Sequence, residues 1–235
     1  MDAVPADRGL TGPAAPPGWD LRRLRGPAAD LHAEPVPPAP GRAVWVLDAS
    51  APALVLGSTQ ADDLVDRAAA GRLGVEVARR RSGGGVVLVE PGATLWVDLL
   101  LPAGDPLWDD DVGRAAVWVG RAWQAALAEV GVAPTEVHEG ALACGPLGRL
   151  VCFATVGAGE VTLPDRRKLV GVSQRRTREA ARFQCAAYTR WHPEPLTPLL
   201  RLDAAGTRAV ADAAAGTGVA PADLLAALMR HLPAR

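Results

Sequence analysis

Hydrophobic residues from about residue 42 onward fall into short runs that predict a series of strands. The runs are rich in valine and leucine and end at glycine, proline or charged residues, as strands do. The predicted strands cover residues 43–47, 53–56, 75–78, 85–89, 94–101, 150–154, 160–163, 168–173 and 181–189.

A hydrophobic period of 3.6 residues predicts helices between and after these strands. It is clearest over residues 111–130, where Val119, Trp123 and Leu127 share one face. Alanine-rich segments predict further helices at 61–70, 207–215 and 221–232. This order of elements favours an α+β (mixed α/β) domain with a largely antiparallel sheet.

The first 40 residues have a different composition, since they hold nine of the 21 prolines. Proline cannot donate a backbone hydrogen bond and restricts the residue before it. We therefore predict an irregular or disordered lead-in at residues 1–40, a main domain at 41–200, and C-terminal helices at 201–235 that pack on the same domain.

Composition narrows the class of protein. The 235 residues are 49% hydrophobic and carry a net charge of -1, which favours neither nucleic acid nor a membrane surface as a partner. The N-terminus does not resemble a secretory signal. Three cysteines in such a chain indicate reduced thiols, so we expect a cytoplasmic protein. The four scattered histidines do not indicate a metal site.

The segment Arg-Arg-Arg-Ser-Gly-Gly-Gly at residues 79–85 is the first candidate for chemistry. Glycine lets a backbone lie directly against a ligand, and arginine suits phosphate or carboxylate. The segment therefore predicts either a loop that grips an elongated anionic molecule or a tight turn with a solvated basic flank.

A second candidate is the segment Lys-Leu-Val-Gly-Val-Ser-Gln at residues 168–174. Its lysine stands at the start of a predicted strand. By spacing alone it is either a solvated strand-end charge or a point charge for a phosphate or a polarised carbonyl.

Together the two segments resemble the Arg-Arg-x-Ser-Gly-Gly-Gly and Lys-x-x-Gly-x-Ala/Ser-Gln signatures of the lipoate–protein ligase and octanoyltransferase family, in the same order. The resemblance extends over residues from about 42 to 200. It implies the biotin/lipoate ligase catalytic fold, with a central mixed sheet, flanking helices and a smaller sheet, so residues 41–200 would be the catalytic domain.

The resemblance also implies a set of site residues. The glycines would lie along an acyl chain, the arginines near its carboxyl end or a phosphate, and the lysine at the reacting carbonyl. The residues carried over for binding the acyl group or acyl-AMP are Arg79, Arg80, Ser82, Gly83, Gly84, Gly85, Gly171 and Ser173, and the catalytic one is Lys168.

Cys152 separates two enzymatic interpretations. In the first, an ATP-dependent ligase uses ATP with Mg²⁺ to convert lipoate or octanoate to acyl-AMP and acylates a lysine. In the second, Cys152 takes the acyl group as a thioester without ATP, because its Cys-Phe segment and its spacing to Glu160 resemble one octanoyltransferase branch. The alternative for Cys152 is a small buried residue in a strand.

The implied partners are lipoyl domains of 2-oxoacid dehydrogenases or the glycine cleavage H protein, with acyl carrier protein as a possible donor; no nucleic acid and no membrane is expected. Val89 stands where many family members have a histidine, and Glu90-Pro91-Gly92-Ala93 replaces Asp-Leu-Gly-Asn. The extra C-terminal domain of many ligases is expected to be absent or supplied by another chain. These departures keep open a third hypothesis, a non-catalytic member that binds an acyl ligand or a lipoyl domain.

Overall fold

The computed structural model describes residues 12–37, 40–145 and 147–234. The strands in this part are Asp20–Gly26 (β1), Ala43–Ala49 (β2), Ala53–Leu56 (β3), Glu76–Arg79 (β4), Val87–Val89 (β5), Thr94–Pro102 (β6), Glu136–Val137 (β7), Ala143–Cys144 (β8), Thr155–Val156 (β9), Val161–Thr162 (β10), Lys168–Arg176 (β11) and Ala180–Tyr188 (β12). The α-helices are Ala28–Ala33 (α1), Arg67–Leu73 (α2), Val117–Glu129 (α3), Leu196–Leu199 (α4), Ala204–Ala213 (α5) and Pro221–His231 (α6).

The larger sheet has seven strands in the order β1-β2-β6-β12-β11-β10-β7. β1 pairs with β2 in parallel, with α1 in the connection, and the remaining neighbours are antiparallel. A second sheet has the order β4-β3-β5. Its strands β3 and β4 are parallel, and the chain segment that connects them contains α2. This arrangement confirms the predicted α+β class.

The two faces of the larger sheet have different roles. Leu95, Val97 and Leu99 of β6, with their counterparts on β11 and β12, pack against α3 and α6 in the main core. The alternate residues face the smaller sheet, where Trp45 and Trp96 pack with Val55 and other small-sheet side chains. Since side chains alternate along a strand, one face serves the core and the other is available for a pocket between the sheets.

The N-terminal segment corrects the prediction of an irregular lead-in. Residues 20–26 form the edge strand β1, and α1 follows directly. The arginine-rich sequence of β1 does not show the hydrophobic pattern of a strand. An edge strand tolerates these arginines, and the guanidinium carbon of Arg22 lies 5.0 Å from the centroid of the Trp45 ring. The parts of the lead-in at residues 1–11 and 38–39 lie outside the described residues.

Interactions at both ends hold α1. The carboxylate of Glu76 accepts hydrogen bonds from the backbone N–H groups of Ala28 and Ala29, both at 2.9 Å. At the other end, Arg182 donates to the carbonyls of Leu31 (3.1 Å) and Glu34 (2.9 Å). Each terminus of this short helix is therefore anchored to a strand of a different sheet.

Three other predictions differ from the structure. The helix predicted at 61–70 is a 3-10 turn at Asp62–Leu64 followed by α2 at Arg67–Leu73. The helix predicted at 111–130 begins at Val117, because turns closed by the Asp109 and Asp111 side chains precede it. The strand predicted at 150–154 is a single bridge at Val151 followed by a 3-10 turn at Cys152–Ala154. No helix in the described residues is long and apolar enough to cross a membrane.

Candidate functional site

A mostly apolar pocket opens between the two sheets. Its walls include Val55, Val87 and Val89 of the smaller sheet and Trp96 of the larger one. Its polar lining includes one side chain from each of five different segments of the chain, namely His32, Arg80, Cys152, Ser173 and Gln184. An apolar slot with a few convergent polar groups is the usual form of a small-molecule site.

The predicted site residues divide into three groups in relation to this pocket. Arg80, Cys152, Gly171 and Ser173 line it. Ser82 is connected to the lining, since its hydroxyl donates to Gln184 Oε1 at 2.9 Å and lies 3.2 Å from the Ser173 hydroxyl. The wall does not include the residues Arg79, Gly83, Gly84, Gly85 and Lys168.

Arg80 has a donor that is not satisfied. Its side chain is buried, and Nε and Nη2 donate to the carbonyl of Gly83, with Nη2 also bonded to the carbonyl of Gly85 at 2.8 Å. Within the described part of the chain, Nη1 is buried without a hydrogen-bond partner. A buried guanidinium with a free N–H is costly unless an oxygen of a ligand completes it.

Arg79 has a different role from its neighbour. It donates to the carbonyls of Gly57 and Gln60 and pairs with Asp62 at 2.7 Å. The Arg79 guanidinium lowers the pKa of Asp62 by hydrogen bonding and charge. Arg79 therefore holds the loop that follows β3, outside the pocket.

Cys152 lies on a turn that its neighbours fix firmly. The Cys152 N–H donates to the carbonyl of Val86 at 2.9 Å, and its carbonyl accepts from Thr155 Oγ1 at 2.9 Å. Phe153 is buried in an aromatic cluster with Tyr188 and Trp191. The turn thus presents a half-buried thiol to the pocket from a rigid support.

Lys168 is buried, which excludes the solvated strand-end charge. Its Nζ donates to Glu160 Oε2 at 2.6 Å and to the Cys152 carbonyl at 2.8 Å, and the side chain is 0% exposed. Glu160 also accepts from the backbone N–H groups of Gly157 and Val172. The ion pair therefore connects the Cys152 turn to the middle of β11.

A second thiol, Cys185, also borders the pocket but has a different environment. Its side chain belongs to the main core, and burial raises the pKa of the Cys185 thiol far above its usual range. A thiol that stays protonated is a poor nucleophile. Of the two, Cys152 is therefore the candidate for covalent chemistry.

The glycines of the loop have a packing role in addition to the one implied by the resemblance. A Cβ on Gly85 would meet the backbone of residues 150–152 at 2.7–2.8 Å. Gly84 has a φ of +98°, and its carbonyl oxygen would clash with a Cβ on Gly57. At Gly83, by contrast, a Cβ would meet no atom of the described residues within 4 Å. The loop is thus packed against the chain that carries Cys152.

These contacts predict different effects for two alanine substitutions. Gly85→Ala should lower the free energy of unfolding by roughly 1–3 kcal/mol, because backbone atoms must move to admit the methyl group. Gly83→Ala should change it by less than about 1 kcal/mol. Urea unfolding of both variants checks this, and equal stabilities would contradict the packing role.

Sequence reasoning missed several residues of this site. His32, Trp96 and Gln184 carry no local motif, because they reach the pocket from separate elements. The pairing of Glu160 with Lys168 follows from the β10–β11 hairpin, in which Thr162 faces Lys168. The short Asp165-Arg166 segment between the strands predicted at 160–163 and 168–173 indicates a hairpin, and this hairpin with Glu160 just before β10 is the available signal. Across the described residues, no group of histidine, cysteine and acidic side chains is arranged to hold a metal ion.

Comparisons with known proteins support one family. The model of the lipoyl protein ligase A/B catalytic domain matches residues 36–217. No curated protein sequence matches the chain.

Several solved structures have the same fold. A T. acidophilum protein described as a lipoate protein ligase, with bound lipoic acid, has a TM-score of 0.69 and 15% identity over 92% of this chain and 84% of its own. A lipoate-protein ligase A bound with ATP gives 0.69 and 16%, covering 91% and 83%. A bi-partite lipoate protein ligase with its E2 lipoyl domain, from Thermoplasma acidophilum, gives 0.68 and 15%, covering 92% and 82%.

At such low identities the likeness to solved structures establishes the fold, and it confirms the predicted biotin/lipoate ligase type. The family assignment rests on the match to the domain model, which covers more than half of the chain. The chain therefore belongs to the family of the lipoyl protein ligase A/B catalytic domain.

Proposed function

We propose that this protein attaches an octanoyl or lipoyl group to a lysine of a lipoyl domain. Its family and its apolar pocket support an acyl substrate. One protein of the same fold was solved with bound lipoic acid, which supports the acyl group. Another is a bi-partite lipoate protein ligase described together with its E2 lipoyl domain, which supports the acceptor. The acceptors would be lipoyl domains of 2-oxoacid dehydrogenases or the glycine cleavage H protein.

The observation that favours a thioester route is the position of Cys152 in the pocket wall. The thiolate would attack the thioester carbonyl of an acylated carrier protein, forming S-acyl-Cys152 and releasing the carrier thiol. The amine of the acceptor lysine would then attack the new thioester, which forms the amide and returns the Cys152 thiol. The role of Lys168 in this scheme is to position the Cys152 turn through the carbonyl bond at 2.8 Å.

An ATP-dependent ligase is the second candidate, favoured by Arg80. The unpartnered Nη1 suits an oxygen of a carboxylate or of an acyl phosphate. The same fold occurs in a ligase solved with ATP. In this route ATP, with Mg²⁺, would activate free lipoate or octanoate. The buried ion pair between Lys168 and Glu160 counts against the ligase, since the ammonium charge that would bind the phosphate of acyl-AMP is already neutralised by the carboxylate.

A comparison of acyl donors tests the proposal. Purified protein is incubated with a lipoyl domain and either octanoyl-carrier protein without ATP or octanoate with ATP and Mg²⁺, and the domain is weighed by mass spectrometry. We expect acylation from the carrier without ATP, together with an octanoyl adduct on Cys152. Acylation only with ATP would support the ligase. Absence of acylation in both arms would support a non-catalytic protein that binds an acyl ligand or a lipoyl domain. Three cysteines without a disulfide suit a cytoplasmic reaction.

A further inference from the structure

His32 belongs to the pocket although it lies before residue 36, where the family match begins. The helix α1 inserts it beside Trp96, with 4.4 Å between the ring centroids. The side chain is only 8% exposed and lines the same pocket as Arg80 and Cys152. Because α1 is anchored at both ends by Glu76 and Arg182, the imidazole is held in a fixed place.

A chain of hydrogen bonds determines which ring nitrogen carries the proton. The Ser82 hydroxyl donates its one hydrogen to Gln184 Oε1, so the neighbouring Ser173 hydroxyl must donate to Ser82. The amide nitrogen of Gln184 faces His32 Nδ1 at 3.1 Å, and an amide nitrogen can only donate. Nδ1 therefore accepts, and the hydrogen of a neutral ring lies on Nε2.

The ring is neutral at physiological pH. Burial, together with the guanidinium charges of Arg182 and Arg80, lowers the pKa of His32 to about 3. The hydrogen bond described for the ring uses Nδ1. The Nε2–H group is therefore a neutral donor on a side chain that lines the pocket.

The chemistry of the substrate limits what this donor can bind. An octanoyl group is a hydrocarbon chain apart from its carbonyl, and the sulfur atoms of a lipoyl group are weak acceptors. A neutral donor also complements an uncharged carbonyl without opposing the positive charge of Arg80. Val89, which is apolar, provides no donor from the facing strand β5.

We propose that His32 is a ligand-binding residue, whose Nε2–H donates a hydrogen bond to the carbonyl oxygen of the acyl group in the pocket. This inference rests on the proposed function, since it takes an acyl group as the ligand. It makes the N-terminal helix α1 part of the binding site.

Two substitutions separate the two nitrogen atoms of the ring. His32→Gln places an amide donor near the position of Nε2 but loses the acceptor for Gln184. His32→Asn keeps an oxygen near the position of Nδ1 but loses the distal donor. Asp30→Asn, on the exposed side of α1, is the control.

Calorimetric titration with octanamide and lipoamide measures binding without any acyl transfer. We expect His32→Asn to weaken binding about tenfold, and His32→Gln and the control to stay within about threefold of the unchanged protein. Unfolding midpoints measured in parallel show that each variant is folded.

Each outcome decides between the two proposals. Tighter binding by His32→Asn than by His32→Gln, or equal binding by both, would overturn the role of Nε2. In that case binding by the unchanged protein would leave the proposed function intact. A failure of the unchanged protein to bind either amide would overturn the acyl pocket and, with it, the role of His32.

Discussion

Replacing Cys152 by alanine is expected to lower ATP-independent transfer of an octanoyl group to a lipoyl domain by at least about a thousandfold. The thiol is the nucleophile of the proposed thioester, and the other thiol at the pocket, Cys185, is kept protonated by burial. The rate is measured by mass spectrometry of the lipoyl domain with octanoyl-carrier protein as the donor.

The matched control is Cys144→Ala, because Cys144 is exposed and lies outside this pocket. It should transfer at the rate of the unchanged protein. Both variants should unfold within about 1 kcal/mol of the unchanged protein, since neither thiol is fully buried. Transfer that survives Cys152→Ala in the absence of ATP would exclude the thioester, whereas activity of this variant only with ATP would favour the ligase.

The fold was largely predictable because its central strands are long and apolar. β6 and β12 are buried on both faces, and strands buried in this way have nearly continuous hydrophobic sequences that are easily recognised. β1 was missed because an edge strand tolerates arginine on its exposed side. The hydrophobic run around Cys152 predicts a strand, but its apolar residues are buried by tertiary packing around Phe153 and form a turn.

The candidate site was predictable where a local motif carries the chemistry, as for Arg80 and Cys152. Its remaining parts depend on contacts between residues that are distant in the sequence. His32 and Gln184 are 152 residues apart and meet only through the folded sheet. Tertiary contacts also decide between the two alternatives for Lys168, since a solvated strand-end charge is excluded by its pairing with Glu160 in the interior.

Replacing Lys168 by methionine is expected to destabilise the protein by about 3 kcal/mol. The methionine fills the space of the lysine stem, but the carboxylate of Glu160 is left buried without its cation. The two backbone donors from Gly157 and Val172 remain, which keeps the loss at the lower end for a broken buried pair. Urea unfolding measures the change.

The double variant Lys168→Met with Glu160→Gln distinguishes charge from shape. It removes both charges, but the one amide oxygen of glutamine can accept from only one of the two backbone donors. Stability should therefore recover to within about 1.5 kcal/mol of the unchanged protein and not completely. Transfer from octanoyl-carrier protein should stay low in both variants, because the bond from Lys168 Nζ to the Cys152 carbonyl is lost in each. A single variant as stable as the unchanged protein would show that Glu160 does not depend on Lys168. Full transfer activity in the stable double variant would mean that Lys168 is not needed to position the Cys152 turn.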